Sequence, residues 1–327
     1  MHVLAVDGNS MAHRAFHAVA DEERVGAWVT GTVARMLATA WAYGPYDGVV
    51  VAFDHRVNRR KLEDPGYKAH RDDTDPDLRA HLERLPEHLA GCGFTVVCEE
   101  GAEADDLLAT AADGATAAGW RCTVLSSDRD LTALVSDTVT LLRPRGTMTD
   151  LQVTTPPVVE ATYGVRPEQY TDFAALRGDP SDGLVGCHGI GPKTAARLLR
   201  DYGSIPGIYA ELTNLPPRLE AQLRAGRAEV ERNLWLMAPI PGLEVDVEAA
   251  VAAGVRPDTV EDALRGLGEE RAAGHLRGAI ERPPLPPLPP TPDPTDLAAV
   301  PPPPAPLPPT RVRADVAALD GEQVALF

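Results

Sequence analysis

Five short, nearly continuous apolar runs separated by helix-period stretches constrain this chain more than any other feature. The runs fall at 3–6 (VLAV), 49–53 (VVVAF), 94–97, 121–125 (RCTVL) and 138–142 (TVTLL), with helical periodicity at 30–43, 76–90, 103–118 and 128–135 between them. Strands without polar alternation are buried on both faces, and strands alternating with helices build a parallel sheet. The expected fold class is α/β over residues 1–155, a parallel sheet with helices on both faces. Beyond about 155 the strand signal ends, and 156–281 reads as a second unit of short helices punctuated by glycine and proline. About half of residues 283–309 are proline, so 282–327 cannot bury a core and is expected to be a disordered Pro-rich tail.

No apolar run approaches the roughly 18 residues that span a bilayer. The N-terminus, Met1 to Asp7, lacks the basic and apolar regions of a signal peptide, so a cytoplasmic location without membrane contact is expected. The four cysteines form no C-x-x-C pair, which favours reduced thiols over a disulfide framework or a zinc site. A net charge of −17 argues against a nucleic-acid partner unless the acids are neutralised where they stand. Residues 282–327 carry five acids and three bases, so the acidity belongs to the rest of the chain.

The acids fall where an α/β sheet places its site, beyond the carboxyl ends of the strands. Asp7 and Asp54 follow the first and second strands, Glu103, Asp105 and Asp106 open the helix after the third, and Asp128 and Asp130 follow the fourth. One acid in such a place caps a helix; seven at one edge repel and need cations. Oxygen ligands with no His or Cys favour Mg²⁺ or Mn²⁺. Glu103 and Asp106, three apart, share a helical face, and Asp105 joins Glu103 only if Glu103 stands just before the helix begins. Asp179 and Asp182 add to the set in R-G-D-P-S-D-G. They precede G-I-G-P-K-T-A, whose glycines allow a turn that presents backbone N–H groups and Lys193 to a phosphate. A basic run, Arg56, Arg59, Arg60, Lys61, Lys68 and Arg71, follows Asp54 and is placed to steer phosphates.

Eight strings carry a resemblance: V-D-G-N-S (6–10) with R-A-F-H (14–17), V-A-F-D (51–54), Y-K-A-H-R (67–71), E-G-A-E-A-D-D (100–106), S-D-R-D-L (127–131), G-D-P-S-D-G (178–183) and G-I-G-P-K-T-A (189–195). In this order they resemble the 5′-3′ exonuclease and flap endonuclease family, the 5′ nuclease domain of bacterial DNA polymerase I and its stand-alone relatives, with no polymerase domain expected to follow. The resemblance implies a PIN-like nuclease domain at 1–155 with a helical arch near 55–75. It also implies a helix-three-turn-helix DNA-binding motif within 156–281, and a monomer acting on branched, nicked or 5′-ended DNA in Okazaki-fragment processing and repair. Carried over residue by residue, it gives nine metal acids: Asp7, Asp54, Glu103, Asp105, Asp106, Asp128, Asp130, Asp179 and Asp182. Lys68 and Arg71 match the catalytic basic pair. Arg14, Arg59, Arg60, Gly189, Gly191, Lys193 and Thr194 are the expected DNA contacts, with K⁺ as a further ion at the helix-three-turn-helix. The chain departs from the pattern at His13, Ser127 and Gly183, where Tyr, Gly and Asn are usual, and Asp72, Asp73, Asp75 and Asp77 make the far side of the arch acidic.

Two Mg²⁺ ions suit phosphodiester hydrolysis, the first five acids near one ion and the last four near the other. Lys68 and Arg71 would orient the scissile phosphate. A PIN-type ribonuclease would lack the G-I-G-P-K unit, a non-catalytic DNA-structure-binding adaptor of the same fold would have lost acids, and a phosphatase would want D-x-D where position 9 is Asn9. The last five residues, Q-V-A-L-F, resemble the pentapeptide that docks on the bacterial sliding clamp, with Gln323, Leu326 and Phe327 as the groove-filling positions.

Overall fold

The five apolar runs lie side by side in one sheet. The structure, a computed structural model, describes residues 1–20, 24–69, 74–146 and 150–283. The clamp-like terminus, most of the Pro-rich tail and Arg71 lie outside the described residues. Six strands, β1 (His2–Asp7), β2 (Gly48–Ala52), β3 (Thr95–Val97), β4 (Arg121–Leu125), β5 (Val139–Pro144) and β6 (Leu151–Thr154), lie in the order β3-β2-β1-β4-β5-β6. The first five are parallel, and β6 pairs antiparallel with β5. The sequence reading missed β6, four residues at a sheet edge.

Helices cover both faces: α1 (Gly8–Ala18), α2 (Trp28–Ala40), α3 (Arg59–Glu63), α4 (Pro76–Gly91) and α5 (Ala104–Ala117). β1, β2 and most of β4 are buried on both sides, as their unbroken apolar runs require, while the edge strand β3 is half-buried. Val3, Ala5, Val50 and Ala52 point into the core under α5, while Leu4, Val6, Val49 and Val51 point into the core under α1, α2 and α4. The segment expected as a helix at 128–135 is a single 3₁₀ turn, Asp130–Leu134, and α1 was not expected. Its opening string, Asp7-Gly8-Asn9-Ser10, has the composition of a loop, yet Asp7 caps it by accepting from Ser10 N at 2.8 Å.

The rest of the chain is helical: α6 (Pro156–Tyr163), α7 (Tyr170–Arg177), α8 (Pro192–Tyr202), α9 (Ile205–Ala210), α10 (Pro217–Ala225), α11 (Arg227–Met237), α12 (Val247–Ala253), α13 (Pro257–Gly266) and α14 (Glu270–Glu281). A two-stranded hairpin, β7 (Gly178–Asp179) with β8 (Leu184–Val185), lies between α7 and α8 and carries Asp179 at its start. Gly178 (φ 80°) and Gly186 let its arms meet, since a Cβ on Gly186 would collide with the backbone of Arg177 and Gly178. The expected division at 156–281 needs one correction of packing. α13 and α14 leave the helical unit and return to the sheet, α14 against α2 and α13 against α4, with Val260, Leu264, Ala273 and Leu276 in the core they share. Gly31 on α2 leaves room for the Glu269 side chain just ahead of α14. No helix among the described residues is long and apolar enough to cross a membrane.

Candidate active site

The strand order reverses beside β1: the chain winds outward through β2 and β3, then crosses back to β4 on the other side. Such a switch point opens a crevice at the carboxyl ends of the flanking strands. Here the crevice is a cleft of about 710 Å³ lined by Asp7, Asp54, Glu103, Asp105, Asp128 and Asp179.

Asp7 ends β1 with its side chain buried, accepting also from Ser126 Oγ at 2.7 Å. Burial pushes its carboxyl up to about 7 against these two hydrogen bonds, and the charges of Asp54 and Asp128 add to the rise. Gly8 must be glycine because a Cβ there would stand 2.5 Å from the Phe53 ring. Asp54 accepts from Ala104 N at 2.7 Å, tying β2 to the start of α5, while its own N–H donates to Asn9 Oδ1 at 2.9 Å. On the loop after β4, Asp128 Oδ1 accepts from Asp130 N at 2.9 Å. Asp130 stands behind it with Oδ1 buried and, among the described residues, without a hydrogen-bond partner. Burial, then the charges of Asp128, Asp179, Asp182 and Asp105, hold the Asp130 carboxyl well above the usual range. Asp105 is raised for the same reasons, by burial first and Glu103 next, with Lys68 and Arg60 offsetting part of it.

The helical unit closes the opposite wall. Asp179 accepts from both Ser181 N (2.9 Å) and Ser181 Oγ, with the Arg177 guanidinium 3.4 Å away. Asp182 lies near Tyr67 Oη (3.4 Å) and Lys68 Nζ (3.6 Å). Glu103 collects Lys68 Nζ (2.8 Å), Tyr67 Oη (3.0 Å) and Arg60 (3.1 Å). Burial raises its carboxyl, but Lys68 and Arg60 pull it further the other way, below the ordinary value.

Two expectations from the resemblance place residues elsewhere than the structure does. Glu103 stands one residue before α5, and this sends Asp105 to the cleft and Asp106 away from it. Asp106 is 1% exposed and bound through both oxygens to Arg60, each at 2.7 Å, while also accepting from Glu103 N and Ile240 N, each at 2.9 Å. Its acceptor sites are filled by protein donors, so it does not open onto the cleft as a ligand. Arg60 likewise does not face DNA. It is 4% exposed, and its remaining N–H groups donate to Leu236 O (2.7 Å) and Ala238 O (2.8 Å), clamping α3 and the end of α11 to α5.

Among the other expected contacts, Lys68 lines the cleft, Arg59 is exposed and paired with Glu63, and Arg14 is half-buried and donates to Gly146 O at 2.9 Å. Gly189 takes φ 79° against the Gln222 side chain, Gly191 caps α8, and Lys193 and Thr194 fall in the first turn of α8, Lys193 exposed. Arg177, Tyr67, Asn9 and Ser126 belong to the site without having been singled out. Their signal was adjacency, because each lies within three residues of a residue that was singled out.

Among the described residues, no three or more His, Cys, Asp or Glu side chains stand as a finished metal cage. The donor set still fits hard divalent cations. It is all oxygen, it includes the unpartnered Asp130 Oδ1, and three of its carboxyls are driven upward by burial and mutual repulsion, a cost that a cation removes.

Comparison with known proteins agrees with this architecture. The family model described as 5′-3′ exonuclease, N-terminal resolvase-like domain matches residues 2–164, and that described as 5′-3′ exonuclease, C-terminal SAM fold matches 165–257. DNA polymerase I of Mycobacterium bovis is 40% identical over 264 residues, 79% of this chain and 28% of the polymerase. The thermostable DNA polymerase I of Thermus thermophilus is 36% identical over 291 residues, 86% of this chain and 34% of that protein. The chain thus spans about a third or less of the length of these relatives. The D15 protein of bacteriophage T5, crystallised with metal ions, shares the fold with a TM-score of 0.59 at 21% identity, over 86% of this chain and 99% of that one. With both of its domains matched in order and the acidic cleft at their junction, the chain belongs to the 5′-3′ exonuclease family.

Proposed function

We propose that the chain hydrolyses DNA phosphodiesters at free 5′ ends, as a 5′-3′ exonuclease and 5′-flap endonuclease, with two divalent cations held by Asp7, Asp54, Glu103, Asp105, Asp128, Asp130, Asp179 and Asp182. The observation that carries the reading is the convergence of six carboxylates from five chain segments on one cleft, with Asp182 beside its Lys68 and Asp130 behind its Asp128, one Asp130 oxygen being buried with no hydrogen-bond partner among the described residues. The T5 D15 protein is described as a flap endonuclease in complex with DNA and metal ions, which supports the same chemistry here.

Mg²⁺ or Mn²⁺ bound in the cleft supplies an activated water and stabilises charge on the leaving 3′ oxygen. The protein's own groups do the rest. Asp7 and Asp54 are fixed by Ser10, Ser126 and Ala104, so the donor oxygens meet a cation with little reorganisation. Lys68, with Arg71, supplies positive charge to the scissile phosphate. The turn from Gly189 to Lys193 offers the N-terminus of α8 to the duplex backbone downstream, a contact with phosphates that reads no base. Such a nuclease serves removal of displaced 5′ strands in Okazaki-fragment processing and repair.

The test compares a 5′ flap, a nicked duplex and a circular single strand under Mg²⁺. The flap and nick are expected to be cut near the junction, and the circle, having no 5′ end, to persist. Cutting of the circle as fast as the flap contradicts the reading. The sliding clamp is proposed as a partner of the Q-V-A-L-F terminus, which follows the Pro-rich stretch 283–309 in the sequence. Deleting residues 323–327 is expected to abolish clamp binding in calorimetry and leave cleavage of free flaps unchanged; equal clamp affinity for both proteins removes the clamp from the account.

A further inference from the structure

The acidic cleft contains a cation of its own. Lys68 Nζ lies 2.8 Å from Glu103 Oε1 and 3.6 Å from Asp182 Oδ2, and 4.7 Å from the centre of the Tyr67 ring. Glu103 stands on the α5 wall and Asp182 on the hairpin after α7, so this ammonium joins the two walls. The side chain is 9% exposed, unusual for a lysine without a structural reason. Its backbone is equally particular. Lys68 has the one positive φ, 52°, of any non-glycine residue among the described residues, held there in part by its N–H donating to Asp182 O at 3.2 Å. A left-handed backbone at a long side chain persists only where its surroundings impose it.

We propose that Lys68 competes with divalent cations for Glu103 and Asp182, and that cation loading releases its ammonium to the substrate phosphate. The inference rests on the reading that these two acids hold cations. One ammonium and one divalent ion cannot both take the same carboxylate oxygens without like-charge repulsion in a poorly solvated space. Glu103 tolerates the exchange because Arg60 and Tyr67 Oη remain on its other oxygen. Release would also let the Lys68 backbone leave its left-handed conformation. The ordering that follows is cation first, phosphate contact second, so the charge that grips the scissile phosphate becomes available only in a loaded site.

The experiment uses the full chain without DNA and Mn²⁺ as the probe. In titration calorimetry, Lys68→Met is expected to bind Mn²⁺ about tenfold more tightly than the unaltered protein, or about 1.4 kcal/mol, while Lys61→Met, which removes an exposed lysine on α3, leaves the affinity unchanged. Equal or weaker affinity in Lys68→Met overturns the proposal. A second measurement needs no variant. Acetylation of Lys68 by acetic anhydride, read by mass spectrometry, is expected to rise several-fold on adding Mn²⁺ while that of exposed Lys193 stays constant, and unchanged labelling of Lys68 overturns the proposal. Absence of saturable Mn²⁺ binding to the unaltered protein would instead refute the cation-binding reading beneath it. Saturable binding with no change at Lys68 refutes this inference alone.

Discussion

Asp128→Ala together with Asp130→Ala is expected to lower flap cleavage by about a thousandfold or more, since losing several kcal/mol of metal-borne charge stabilisation costs a factor of ten per 1.4 kcal/mol. Both acids come from the segment after β4, and among the described residues neither makes an ion pair: Asp128 accepts from the N–H of Asp130, and Asp130 Oδ1 has no hydrogen-bond partner. The double variant should therefore fold and bind flap DNA much as the unaltered protein does. Single-turnover cleavage and a binding assay on the same preparation separate the two effects. Cleavage at the unaltered rate would show that these carboxylates do not take part.

Arg60→Ala acts on the fold instead. Removing the guanidinium leaves Asp106 as a buried carboxylate without its bidentate partner and strands the carbonyls of Leu236 and Ala238. Breaking a buried pair from one side costs about 3–5 kcal/mol. The urea midpoint is expected to fall accordingly, with Arg60→Lys between the two because an ammonium keeps the charge but not the fork. A change below about 0.5 kcal/mol, the size of an ordinary surface substitution, would show that the clamp between α3, α5 and α11 carries little of the stability.

The contrast between these two predictions marks how far the sequence can be read. The parallel strands were legible because a strand buried on both faces is an unbroken apolar run; Asp7 and Asp54 were legible because each follows such a run directly, and Asp128 because only two serines separate it from one. Asp105 and Asp106 were not separable. They are adjacent acids, and which one meets the cleft depends on whether the helix starts at position 103 or 104. Glu103 as the cap rotates Asp106 inward to Arg60. Arg60 itself looked like its neighbours in the basic run, and only its burial against α5 and the end of α11 sets it apart. The return of α13 and α14 to the sheet was equally hidden. Amphipathic periodicity says that a helix has an apolar face, and the packing with α2 and α4 says what that face meets.

The most direct test of the central claim is cleavage of an end-labelled 5′ flap by the full chain with Mg²⁺, with excess EDTA, and with Mg²⁺ restored in excess over the chelator. The account predicts cleavage near the junction in the first sample, none in the second and recovery in the third. Cleavage that persists in EDTA, or a folded protein that binds the flap and leaves it intact under saturating Mg²⁺, would contradict it.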